Sequence, residues 1–138
     1  MALDPPLPGQ VIRYAYLWRN EASNATKDRP CGIVLTRVTT QGNTIAYVLP
    51  ITHTPPRQEE DGVEIPTTTK RRLGLDSDRS WIITTELNRF AWPGLDIRPT
   101  PSGQYIYGYL PAKLMEIVLE QVKRHAAKKQ LSTVTRTE

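Results

Sequence analysis

In Lys27-Asp28-Arg29-Pro30-Cys31-Gly32-Ile33-Val34-Leu35-Thr36 an arginine stands at the step into a run of strand-forming residues. Proline fixes φ, withholds a backbone donor and biases the residue before it toward extended geometry, so Arg29 would be held at a defined rim position. A second polar pair, Thr52 and His53, ends the run Thr44 to Thr52 (TIAYVLPIT), and a basic trio, Lys70, Arg71 and Arg72, follows three threonines. Such a set suits cleavage of an RNA backbone. There the ribose 2′-hydroxyl attacks its own phosphate, so the protein need supply only a proton acceptor, a proton donor and charge stabilisation on the phosphoryl oxygens. An arginine can clamp the phosphate, a threonine hydroxyl can donate to a non-bridging oxygen, and aromatic and basic side chains can hold a single strand. The plainer reading is a solvated arginine beside a strand-entry proline, with the trio as a solvated helical face; both readings stay open on these residues alone.

The histidines divide. An imidazole has an unperturbed pKa of about 6.5, so His53 could act as the general acid that protonates the leaving 5′-oxygen. Against this, neighbours in a strand point to opposite faces, which sets Thr52 and His53 apart unless the chain bends. His125 lies far into a helical pattern and reads as a surface residue. The chain has no P-loop, dinucleotide glycine fingerprint, histidine-pair metal motif or serine nucleophile elbow.

Composition narrows the setting. The 138 residues fit one domain large enough for an ordinary core. Cys31 is the single cysteine, which forbids an intramolecular disulfide and a multi-cysteine zinc site and points to a reducing compartment. The start, MALDPPLP, has no basic segment followed by an apolar one, and no apolar run approaches membrane-spanning length, so a cytoplasmic protein without a membrane partner is expected. A net charge of +4 is compatible with a polyanionic partner.

The elements that must position these residues are mostly short strands. After a Pro-rich lead over 1–8, "GQVIRYAYLWRN" alternates with period two, a polar loop covers Asn20 to Asp28, and strands follow over Cys31 to Thr36 and Thr44 to Thr52. Pro50 must lie near the end or edge of its strand. "TTTKRRLGL" reads as a helical turn with a threonine cap and Gly74 near its end. "GVEIP", "SWIITTELNRFAW", "GLDI" and "GQYIYGYL" supply further strands, and the lack of long intervening helices predicts a mainly β fold arranged as a small antiparallel barrel. From Pro111, Leu114, Ile117, Val118 and Val122 recur at helical spacing, predicting one C-terminal helix that closes a domain over 9–125. Residues 126–138 lose periodicity and read as a frayed basic tail.

Taken in order, "GQVIRYAY", "KDRPCGIVL", "IAYVLPITH", "VEIP", "SWIITTELNRFAW" and a helix after "YGYLP" resemble the PemK/MazF family of toxin ribonucleases, over roughly Gly9 to Lys123. The most specific pieces are the Arg-Pro step before an aliphatic strand and the Pro-x-Thr ending the next. The resemblance implies an SH3-like barrel of the CcdB/PemK type that pairs as a homodimer, cleaves single-stranded mRNA without a cofactor or metal, and is silenced by a cognate antitoxin protein. By motif position Arg29 matches the family's catalytic arginine and Thr52 its catalytic threonine. His53 stands where relatives often have a second threonine, and Glu21 is the loop carboxylate that could take the place of the family's glutamate. Arg57, Lys70, Arg71 and Arg72 are the residues expected to hold the RNA backbone. Two other functions share the fold type: a CcdB-like inhibitor that binds gyrase without catalysis, and an inactive relic that binds only nucleic acid or an antitoxin-like partner.

Overall fold

The computed structural model describes residues 4–20 and 26–136. The period-two segment forms β1, Gln10–Tyr16. It is buried on both faces: Val11 joins one apolar cluster, and Ile12, Tyr14 and Tyr16 join a second on the other side of the sheet. β2 (Lys27–Val38) and β3 (Thr44–Thr52) make an antiparallel hairpin around Gly42, whose φ of 83° needs a residue without a side chain. β4 (Gly62–Glu64) and β5 (Trp81–Ile83) flank a short helix, α1 (Thr67–Leu73). Then come β6 (Glu86–Trp92), β7 (Ile97–Arg98), β8 (Ile106–Tyr109), α2 (Ala112–Ala127) and β9 (Ser132–Thr135).

The fold is a mainly antiparallel β-sheet with a C-terminal helix. Strands run in the order β4-β5-β3-β2-β1-β7, and β3 and β1 each change neighbour along their length. β3 pairs with β6 from Thr44 to Val48 and with β5 at Ile51 and Thr52, while β1 pairs with both β7 and β8. Among the described residues these pairings leave the sheet open, so the expected closure into a barrel is not made by backbone hydrogen bonds. Pro50 sits where β3 passes from β6 to β5, in the two-residue gap, Leu49 and Pro50, that neither register includes.

Three local expectations are corrected. α1 starts at Pro66 with no side-chain cap, because the fixed φ of proline already suits a helix start and the three threonines fall inside the first turn. Gly74, with φ of 72°, does end it. In α2 the buried residues are Leu114, Val118 and His125, whereas Ile117 is 50% exposed, so the apolar stripe is rotated from the one the spacing suggested. The segment read as a frayed tail instead contains β9, which lies parallel to β6. Arg136 then reaches back: Nη1 donates to the Ala15 carbonyl at 2.6 Å, Nη2 to Asp96 at 2.9 Å, and the guanidinium lies 5.7 Å from the Tyr14 ring centre. No helix among the described residues is long and apolar enough to cross a membrane.

Candidate functional site

The register of the central strands decides where Arg29 goes. β2 and β3 pair at Cys31 with Pro50, and continuing that antiparallel register by two residues brings Arg29 level with Thr52 at the sheet's rim. On the other side Arg29 pairs with Tyr14 of β1. Period two puts Arg29 on the same face as Cys31, and Tyr14, Tyr16 and Trp18 continue that face along the first strand. Trp18 therefore ends an aromatic row, edge-on to Tyr16 at 5.2 Å, and the Arg29 guanidinium lies 5.1 Å from its ring centre.

Arg29 is half-buried and has donors to spare. Nη1 makes a long contact of 3.5 Å to the Ile51 carbonyl, and the enclosed Nε has no hydrogen-bond partner among the described residues. Arg29 and Thr52 form the ridge between two clefts. The first, about 500 Å³, is also lined by Arg13, Lys27, His53, Asp76 and Tyr107. The second, about 510 Å³, adds Trp18, Thr54, Arg57 and Glu86. Both are of a size that takes a small ligand or one nucleotide.

Thr52 and His53 share the first cleft despite being sequence neighbours, since β3 ends at Thr52. The Thr52 hydroxyl oxygen accepts from the Thr54 amide at 3.2 Å, a side-chain turn that leaves its own proton free to donate and breaks the strand alternation. His53 Nε2 meets Asp76 Oδ2 at 2.7 Å. Asp76 lies in the loop after α1, and its other oxygen accepts from Lys70 Nζ at 2.7 Å. Burial works to raise the Asp76 carboxyl, but the hydrogen bonds and charges of Lys70 and His53 outweigh it and hold the group below its ordinary value.

Lys70 is thereby corrected from an RNA contact to a structural residue. It is 4% exposed, and its ammonium is shared among Asp76, Ser80 Oγ at 2.7 Å and the Asp78 carbonyl, which uses all three donors. Arg71 and Arg72 are exposed on α1, and neither lines the two clefts. Arg57 does line the second. Glu21 falls outside the described residues. His125 is buried rather than superficial: its Nε2 meets the Glu60 carbonyl at 2.7 Å and ties α2 to the loop before β4.

The rest of the cleft is electropositive. Asp28 is flanked by Arg13 at 3.8 Å and Arg98 at 3.7 Å, so its charge is offset while Lys27 and Arg29 remain beside the opening. Burial pushes the Cys31 thiol well up, against a smaller opposing effect of Arg29, which disfavours the thiolate. His53, Asp76 and Asp78 present ligand atoms within 4.8 Å of one another, as a cation site would, but the Lys70 ammonium already occupies Asp76 and supplies the positive charge there.

Sequence reasoning missed Trp18, Arg13 and Asp76. Trp18 had a signal in the period-two series Tyr14, Tyr16, Trp18; Asp76 had none, since only the fold brings it to His53. No family model matches the chain, and no curated protein matches it.

Proposed function

We propose that the protein is an endoribonuclease that cleaves single-stranded RNA by attack of the 2′-hydroxyl on the adjacent phosphate. The observation that carries this reading is the meeting of Arg29 and Thr52 on one ridge between two clefts, each with donors not consumed by the fold. Arg29 clamps the non-bridging oxygens, Thr52 donates a hydrogen bond to the same phosphate, and Trp18 offers a flat face against which a base can stack. Because the substrate carries its own nucleophile, the reaction needs no metal. The products are a 2′,3′-cyclic phosphate and a 5′-hydroxyl.

The biological reading follows from the resemblance to PemK/MazF toxins: a cytoplasmic mRNA-cleaving toxin, held in check by an antitoxin, on a fold of the SH3-like barrel type. A symmetric homodimer is part of the same proposal, supported by Leu35 and Val38, 53% and 69% exposed on β2. A gyrase-binding protein of the same fold type would have no use for the Arg29 and Thr52 pair.

The test is a mixed-sequence single-stranded RNA incubated with purified protein in EDTA, with the fragment ends determined. Cyclic phosphate and 5′-hydroxyl ends are expected; intact RNA with folded protein would sink the ribonuclease reading. Light scattering in moderate salt should give the dimer mass at micromolar concentration, and the monomer mass throughout would remove the dimer.

A further inference from the structure

We infer that Asp76 is a positioning residue that, braced by buried Lys70, turns His53 into the general base for the 2′-hydroxyl. This rests on the ribonuclease reading and deepens it.

An ionised carboxylate only accepts, so the 2.7 Å contact between His53 Nε2 and Asp76 Oδ2 requires the proton to sit on Nε2. The neutral ring then carries its lone pair on Nδ1. In that neutral form the ring can take a proton at Nδ1, so the contact fits the base role, whereas the acid role that its sequence position suggested would need the doubly protonated ring.

An exposed histidine–aspartate pair is usually worth little, and both side chains here are more than half exposed. What sets this pair apart is the support behind it. Asp76 Oδ1 accepts from Lys70 Nζ at 2.7 Å and from the Asp78 amide at 3.2 Å, while Lys70 is itself enclosed and saturated by Ser80 and the Asp78 carbonyl. The carboxylate is therefore pinned from inside the protein, and among the described residues the histidine is the partner it holds on the cleft side. Positioned partners of this kind fix the tautomer and orientation of a catalytic imidazole. His53 and Asp76 line the same cleft as Arg29 and Thr52, and Arg13, Lys27, Asp28 and Tyr107 are the other titratable groups around it.

In the step itself, Nδ1 takes the 2′-hydroxyl proton as the 2′-oxygen bonds to phosphorus. The bond from phosphorus to the 5′-oxygen breaks, and that oxygen takes a proton from water in the open cleft. The imidazolium, paired with Asp76, returns its proton to solvent.

The experiment has two arms. Nitrogen-15 NMR of the imidazoles reads the tautomer directly, and with two histidines in the chain a His125→Gln variant assigns the signals. Neutral His53 should carry its proton on Nε2 in the parent and shift toward a tautomer mixture in Asp76→Asn. In the kinetic arm, Asp76→Asn should lower kcat about tenfold or more with KM little changed, since general base catalysis contributes about a hundredfold or more. Placed in a His53→Gln background, Asp76→Asn should cost almost nothing further, because the two act as one unit. Thermal melts confirm that each variant is folded. A parent His53 with its proton on Nδ1, or an Asp76→Asn loss equally large without His53, overturns the assignment. If the parent cleaves no RNA, the ribonuclease reading fails, and the tautomer arm alone upholds or overturns the hold of Asp76 on His53.

Discussion

Arg29 lines the first cleft and Lys70 lies behind it, holding Asp76 and Ser80 of its wall, and the two cations are opposites in how their charges are met. Lys70 spends all three donors inside the protein, on a carboxylate, a carbonyl and a hydroxyl. Arg29 spends one weakly, rests on the face of Trp18 and leaves its enclosed Nε without a partner among the described residues. Burying a polar group costs free energy unless it is hydrogen-bonded. A saturated buried cation is therefore part of the scaffold, whereas one with spare donors beside an opening is poised for an anion that the protein itself does not supply.

The comparison breaks most sharply at Arg29. Arg29→Ala should lower RNA cleavage about a hundredfold or more while leaving the thermal midpoint nearly unchanged, because a preorganised contact to developing charge is lost and no internal hydrogen bond of consequence goes with it. A folded variant that cleaves as fast as the parent would end the distinction. Lys70→Met should do the reverse in kind, lowering stability by about 2 kcal/mol in denaturant titration as Ser80, Asp76 and the Asp78 carbonyl lose a shared donor; an unaltered midpoint would show that the network is dispensable.

Acid titration sharpens the same contrast. Asp76 is held below its ordinary value in the folded state, so the unfolded chain binds more protons there as pH falls. Its stabilising contribution is complete above the ordinary carboxylate range and drains away as pH drops toward the depressed value. Asp76→Asn should flatten that acid limb, and parallel limbs for the two proteins would deny the coupling. The smallest effect belongs to Arg71 and Arg72. Their joint replacement by Ala should change stability by no more than about 0.5 kcal/mol, and as neither lines the clefts the salt dependence of RNA binding should hardly move. A salt slope reduced by about two would return them to the phosphate backbone.

The strands and the terminal helix were legible because period two and helical spacing act over many residues, and burial rewards them together. The trio Lys70-Arg71-Arg72 was not, because three consecutive residues on a helix point in three directions: one lands inside and two outside, and composition cannot say which. β9 escaped notice since its partner, β6, becomes an available edge only after β3 has taken β6's other side. At the site, Arg29 and Thr52 were visible through their prolines, although only Thr52 ends its strand, while β2 starts at Lys27 and Arg29 pairs within it with Tyr14. His53 was visible as a residue type, but its direction of proton transfer was not, since that depends on a carboxylate 23 positions away.

The Arg136 clasp bears on the order of events in folding. Its bond to Ala15 spans 121 positions, a separation whose closure entropy is steep unless the intervening chain has already condensed. The β2–β3 hairpin pays a far shorter loop and can form first, so the ridge bearing Arg29 and Thr52 is laid down before the clasp seals the Tyr14 face. Pulsed hydrogen exchange during refolding should find the Val48 amide protected ahead of those of β9 and Arg136, and simultaneous protection would mean that the sheet and its clasp arrive in one step.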